Sequence, residues 1–185
     1  LKMAADKTLD LYSQGATIMP IGSVLQVKSV PLTGRVALNA NADTGAGVDV
    51  GLNVAITPKS STSKFLITVN IGAAGIGSAS SWGAILSRDG SKIGFGDDFA
   101  NYSSGVMFRG SGVGHADYNH TSGGGSGQYL DTISGVVGTS RTYILGFGTE
   151  GGALRINSDY AQYNGSATFV HSTTISTMTI AEIQG

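Results

Sequence analysis

From Pro20 onward, apolar and polar positions along the chain alternate with a period of two. Leu25, Val27 and Ser29 alternate with Gln26, Lys28 and Val30, and Leu52, Val54 and Ile56 alternate with Asn53, Ala55 and Thr57. Phe65, Ile67, Val69 and Ile71 share one face, with Leu66, Thr68 and Asn70 opposite. The same alternation returns at Tyr143, Leu145 and Phe147, and at Ala167, Phe169 and His171. Such short runs, rich in β-branched and aromatic residues and bounded by Gly, Asn, Asp or Ser, predict strands. Before Pro20 the pattern is different. Met3, Ala4, Ala5, Lys7, Leu9, Leu11 and Tyr12 fit a flexible arm or, as the alternative, a short helix limited by Gly15 and Pro20.

The connections carry turn chemistry. Asp89-Gly90, between Ala84–Arg88 and Lys92–Phe95, predicts a type I′ hairpin, and Asn164-Gly165 predicts a second. Thr57 to Ser63 reads as a longer hairpin loop, and so does the turn at Gly148 to Gly152. About ten strands with no helical crossovers imply antiparallel neighbours. The expected fold is therefore all-β: an antiparallel β-sandwich, in jelly-roll form, at residues 21–185, preceded by an N-terminal arm or helix at 1–20. One stretch stands apart. From Asp97 to Gln128 the alternation fades, except at Val106–Arg109, and a loop of this length is expected to be functional or disordered.

Composition narrows the function classes. The 185 residues include 29 Gly, 3 Pro and no Cys, and Ser and Thr together make up about a fifth of them. Charged residues are 12% and the net charge is −1. This excludes a coiled coil, collagen and a disulfide scaffold. The 11 Lys and Arg are dispersed, so they give no basic face for nucleic acid. No apolar run is long enough for a membrane span, and residues 1–15 lack the apolar region of a signal peptide. Leu at position 1 reads as a processed product, a cut domain or part of a longer chain.

Candidate chemistry is sparse. Gly146, Gly148 and Gly151 match the spacing of a dinucleotide fingerprint, but strand-like Ala153–Ile156 follows where a helix is required. Asp97 and Asp98 would point to opposite faces of a strand, and Asp131 and Glu150 have no specific spacing to them. A glycosidase pair is therefore not expected. His115 and His120 are five apart, which matches neither a helical nor a strand metal site. Asp43 and Asp49 lack the further oxygen ligands of a calcium loop. No metal and no cofactor is expected. Asn101, Asn119 and Asn164 head formal glycosylation sequons, at about the frequency chance supplies. Trp82 opens a patterned strand and reads first as core, second as a sugar-stacking platform. Loop residues that combine Tyr, Asn, Ser and Gly make adaptable contact surfaces. The receptor-contact candidates are Tyr102, Arg109, His115, Asp117, Tyr118, Asn119, His120 and Tyr129.

An ordered set of segments adds a family resemblance. It comprises Gly22-Ser23-Val24-Leu25-Gln26-Val27, Ile56-Thr57-Pro58-Lys59-Ser60-Ser61-Thr62-Ser63-Lys64-Phe65-Leu66-Ile67 and Trp82-Gly83-Ala84-Ile85-Leu86-Ser87-Arg88-Asp89-Gly90. Leu130-Asp131, Thr139-Ser140-Arg141-Thr142-Tyr143, Arg155-Ile156-Asn157 and the run from Ser172 to Ile183 follow. Over residues 20–185 this resembles tail-fibre-like or virion surface structural proteins of marine bacteriophages. The resemblance implies a β-sandwich head on a virion, non-enzymatic and homotrimeric. Other virion proteins would be bound through the N-terminal arm, and a host surface glycan or protein through exposed loops. Alternatives are a capsid decoration or head-fibre protein and, third, a glycan-binding or glycan-degrading module. The His115–Gln128 stretch has no counterpart in that pattern. Apolar residues on both faces of Leu25–Val30 and Phe65–Ile71 fit strand faces buried between subunits.

Overall fold

The computed structural model describes residues 2–3, 9–10, 12–13, 16–17, 20–39, 47–76, 81–94, 108–111, 121–132, 136–149, 153–157 and 174–185. Eleven strands carry the fold. They are β1 (Val24–Leu32), β2 (Val36–Leu38), β3 (Val48–Ile56), β4 (Lys64–Ile76), β5 (Ser81–Arg88) and β6 (Ser91–Ile93). After them come β7 (Phe108–Ser111), β8 (Thr121–Asp131), β9 (Arg141–Thr149), β10 (Leu154–Ile156) and β11 (Ser176–Ile183). Ahead of them, Lys2–Met3 pairs with Leu9–Asp10 and Tyr12–Ser13 pairs with Ala16–Thr17. The described part of residues 1–20 is thus extended, and it forms short ladders where the helical alternative would need a continuous turn.

Two antiparallel sheets form. In the first, β3 pairs with β9, β9 with β5, and β5 with both β6 and β7 along one edge. In the second, β1 pairs with β11, β11 with the first half of β4, and β8 with the other side of β4. Strand β10 takes the second half of β4 and carries β2 outside it. The partners nest: β1 with β11, β3 with β9, β4 with β8, β5 with β6. Antiparallel sheets packed face to face make the expected all-β sandwich.

The nesting corrects two turn readings. Thr57–Ser63 joins β3 of the first sheet to β4 of the second; Gly148 and Thr149 are the end of β9, and the next strand, β10, belongs to the other sheet. Both connections cross between sheets, and neither is a hairpin. Asp89-Gly90 is a true hairpin, with φ of 49° and 83° as a type I′ turn demands. The backbone N–H of Asp89 donates to Thr142 O at 2.9 Å, and its carboxylate accepts from Thr142 N at 2.8 Å. The predicted Asn164-Gly165 turn and the Ala167 strand lie outside the described residues.

A third correction concerns the Gly/Ser run. Thr121–Gln128 is not loop but most of β8, paired with β4 from Ile76 to Thr68. Glycine is required there by close approach. A Cβ on Gly124 would sit 2.7 Å from Ile71 O, at the point where the register shifts. The run lacks the side chains that would display a period of two, although its backbone is fully compatible with a strand.

The alternation read at Leu52–Ile56, Phe65–Ile71 and Tyr143–Phe147 matches the core, whereas Val27 of the first run is 57% exposed. Leu52, Ile56, Leu86, Tyr143, Leu145 and Phe147 of the first sheet face Phe65, Ile67, Val69, Met178 and Ile180 of the second, and all are buried. Trp82 is 5% exposed and its ring centroid lies 6.0 Å from that of Phe147, so its core reading holds. Phe65 and Tyr143 meet across the sheets at the same separation.

Candidate functional site

Two buried carboxylates flank Phe65 at one end of the sandwich. Asp131 of β8 and Glu182 of β11 are both in register with Phe65 of β4, and strand alternation turns all three inward. An inward charge needs partners, and each carboxylate has a separate set. Arg88, at the end of β5, donates from Nη1 to Asp131 Oδ1 at 2.7 Å and Oδ2 at 2.6 Å. The Tyr143 hydroxyl donates to Asp131 Oδ2 at 2.8 Å. Asp131 is 1% exposed and the Arg88 side chain 13%. Burial pulls the Arg88 guanidinium down, but the hydrogen bond and charge of Asp131 outweigh it, so the net shift is upward. The Tyr143 hydroxyl is pushed far above its ordinary range, first by burial and then by Asp131.

Glu182 is held by donors from the connection that crosses between sheets. Its Oε1 accepts from Lys59 N at 2.6 Å, Ser60 N at 3.2 Å and the Ser63 hydroxyl, while Gln26 Nε2 donates to Oε2. Burial raises the Glu182 carboxyl, yet the bonds from Ser63, Gln26, Lys59 and Ser60 prevail and hold it below its ordinary value. This carboxylate fixes the path of residues 59–63 and leaves little freedom for acid–base work.

Beside the Arg88 cluster is an open pocket of about 320 Å³. The β5–β6 turn supplies Arg88, Asp89 and Ser91, and the approach to β9 supplies Thr139, Ser140 and Arg141. Hydroxyls and guanidinium groups can hydrogen-bond a polar ligand here, but Arg88 Nη1 is committed to Asp131. Among the described residues, no three of His, Asp and Glu come together as a metal set, and no helix is long and apolar enough to cross a membrane.

The predicted contact residues fall differently. Tyr102, His115, Asp117, Tyr118, Asn119 and His120 lie outside the described residues, as do Asp97, Asp98 and Glu150. The backbone of Arg109 is in β7, paired with Gly83. Tyr129 is a correction. It belongs to β8, turns inward in register with Ile67, and packs on the core with its ring against Gly94. Sequence reading treated Asp131 as a possible acid of a catalytic pair and Arg88 as part of a hairpin. Their pairing across 43 positions left no local signal.

The strand ends also define a polarity. Pro20–Val24, the 57–63 connection, Arg88–Ser91 and Gly185 gather at the Phe65 end. At the opposite end, Ser111 lies level with Ser81 and Thr121 level with Ile76. Fold and geometry define an all-β sandwich module with a polar cluster at the end where the chain enters. No protein-family model and no curated protein sequence matches the chain.

Proposed function

We propose that the chain is the non-enzymatic head of a phage virion structural protein of the tail-fibre type, held to the particle through residues 1–20 and meeting the host surface with its far end. The observation that supports this reading is that the chain enters the sandwich at one end, at Pro20–Val24, while Ser111 and Thr121 lie at the other. Strand β4 runs 13 residues, from Lys64 beside the chain entry to Ile76 beside the flanks of residues 112–120. At strand rise that is about 40 Å. A module fixed where the chain enters presents its opposite end outward, and Ser111 and Thr121, which flank the stretch with His115, Asp117, Tyr118, Asn119 and His120 in sequence, lie at that end. The virion setting rests on the resemblance of the ordered segments to phage surface proteins. Weak contacts per copy gain strength when several copies engage one surface.

The test exchanges residues 112–120 within the virion, leaving β7 and β8 intact, and separately deletes residues 1–19. The exchange should alter adsorption to host cells with particle assembly unchanged, and the deletion should leave a folded head that is not incorporated. Unchanged adsorption after the exchange, with loss of capsid attachment after the deletion, would replace this reading with capsid decoration. Release of reducing sugar from host envelope glycans would overturn the non-enzymatic assignment.

A further inference from the structure

The open pocket beside Arg88 is lined by charged and hydroxyl-bearing side chains that the polar cluster uses only in part. Arg88 gives a single nitrogen, Nη1, to both oxygens of Asp131. Its Nε and Nη2 donate to no group among the described residues, and neither is a buried orphan, so water reaches them. A guanidinium carries five N–H donors in a rigid planar fork, so clamping one corner on Asp131 holds the other donors in place for a ligand. Arg141, half-buried, brings a second guanidinium to the lining, two positions before the inward Tyr143 and therefore on the same face. Asp89 is the one acid of the lining, and its Oδ1 accepts from Thr142 N at 2.8 Å. Ser91, Thr139 and Ser140 add three exposed hydroxyls. A turn closed by Thr139 N donating to Val136 O at 3.0 Å, with Gly138 at a φ of 85°, fixes the backbone that presents residues 139 and 140.

We propose that this pocket binds an acidic saccharide unit, a sugar ring that bears one carboxylate. Charge, size and hydrogen-bonding capacity select that class together. Two guanidiniums against the carboxylate of Asp89 leave the lining with one positive charge, and Asp131 is buried outside it. That matches a monoanion, whereas a phosphate group carries about two charges and would be repelled by Asp89. A guanidinium fork and a planar carboxylate are complementary in shape as well as in charge. The volume of about 320 Å³ lies at the lower end of the ~300–1,000 Å³ of small-molecule sites. It accommodates a sugar ring, while the acidic side chain of a peptide would leave most of it empty. Asp89 and the three hydroxyls supply acceptors and donors for ring hydroxyls, which a bare carboxylate lacks. Because the pocket is open, a ring within a longer chain can enter as well as a free sugar acid. The pocket lies at the end where the chain enters, away from Ser111 and Thr121, so this site and the host-contact reading stand or fall separately.

Ligand-observed NMR titration of the full chain should show saturable binding of D-glucuronate at millimolar concentration. D-glucose and acetate should bind at least about tenfold more weakly, and added salt should weaken glucuronate binding. Arg141→Gln should weaken glucuronate by at least about tenfold and remove the preference over glucose. Thr139→Val and Ser140→Ala lie at exposed positions, so an unchanged circular dichroism spectrum is expected, and each should weaken binding about three- to tenfold. A galacturonate trimer separates the sources: its binding identifies a chain-borne ring, and binding of the monosaccharide alone a free sugar acid. The proposal is overturned by the absence of binding at millimolar concentration or by glucose or acetate binding as tightly as glucuronate. Tighter binding of a tetraglutamate peptide, or an affinity unchanged in Arg141→Gln and Ser140→Ala, also overturns it.

Discussion

Replacing Asp131 by Asn tests whether the Arg88–Asp131–Tyr143 cluster holds the two sheets together. The substitution keeps the shape and removes the charge. Asp131 accepts two bonds from Arg88, at 2.7 and 2.6 Å, and one from Tyr143 at 2.8 Å. An asparagine presents one acceptor oxygen and an NH2 group where Arg88 Nη1 and the Tyr143 hydroxyl converge with three bonds. Breaking a buried ion pair on one side costs about 3–5 kcal/mol. Arg88 keeps some water contact, at 13% side-chain exposure, which moves the expected loss to the lower end, about 3 kcal/mol. For a domain of this size that lowers Tm by about 6–12 °C.

Urea unfolding followed by the fluorescence of Trp82, the single tryptophan and 5% exposed, reads the loss directly. The companion variant Asp131→Asn/Arg88→Met removes the stranded charge as well. If the cost arises from an uncompensated guanidinium, the double variant recovers about 2 kcal/mol relative to additive single losses. A cost below about 0.5 kcal/mol for Asp131→Asn, or strict additivity in the cycle, would refute the reasoning.

Glu182→Gln should change the pH dependence of stability. The folded-state carboxyl lies below its ordinary 4.5, so its contribution is complete above that unfolded value and is lost as pH falls through the folded one. The stability gap between wild type and Glu182→Gln should therefore be largest at neutral pH and shrink in acid; a gap independent of pH would refute the assignment. Gly72→Ala should cost about 2–3 kcal/mol, because its Cβ would lie 2.7 Å from Ile175 O. Gly90→Ala should cost about 1 kcal/mol, from its φ of +83° alone, since the space around it is open; thermal unfolding of the two variants checks the order. Asn157→Ala should cost about 2–4 kcal/mol. Its side chain donates to Leu32 O and Gly34 O and accepts from Ser176 Oγ, and equal Tm for variant and wild type would show those bonds to be dispensable.

Strands with side chains on both faces were legible in the sequence. Leu52, Val54 and Ile56 are inward and Asn53 and Ala55 outward because burial on one face imposes a period of two. Asp89-Gly90 was legible because a type I′ turn needs positive φ at both positions. The sheet assignment was not. Turn chemistry at Thr57–Ser63 is local, whereas the next strand's sheet is decided by β11 and β8, more than a hundred and about sixty positions away in their pairing with β4. Strand β8 was missed at Gly123–Gly127 since a period carried by side chains vanishes where there are none. Glu182 drew no notice for a related reason. Its donors lie 119 to 123 positions away, apart from Gln26 at 156.

The two buried carboxylates mark one end of the sandwich, while the buried Asn157–Ser176 hydrogen bond lies nearer the other. Asp131 with Arg88 and Tyr143, and Glu182 with residues 59–63, all sit at the Phe65 end, where the chain also enters. Removing any of these groups strands a partner in the interior, so sequence change there is costly. The connections 40–46, 77–80, 112–120 and 150–152 depart from strand ends at the opposite side and include none of these groups. Replacing residues 112–120 therefore spares Asp131 and Glu182, the buried charges among the described residues, and unfolding should stay within about 0.5 kcal/mol of wild type, as expected for changes away from such features. A larger loss, with β7 and β8 unaltered, would mean that the far end contributes to the core and is not free to vary with the surface it meets.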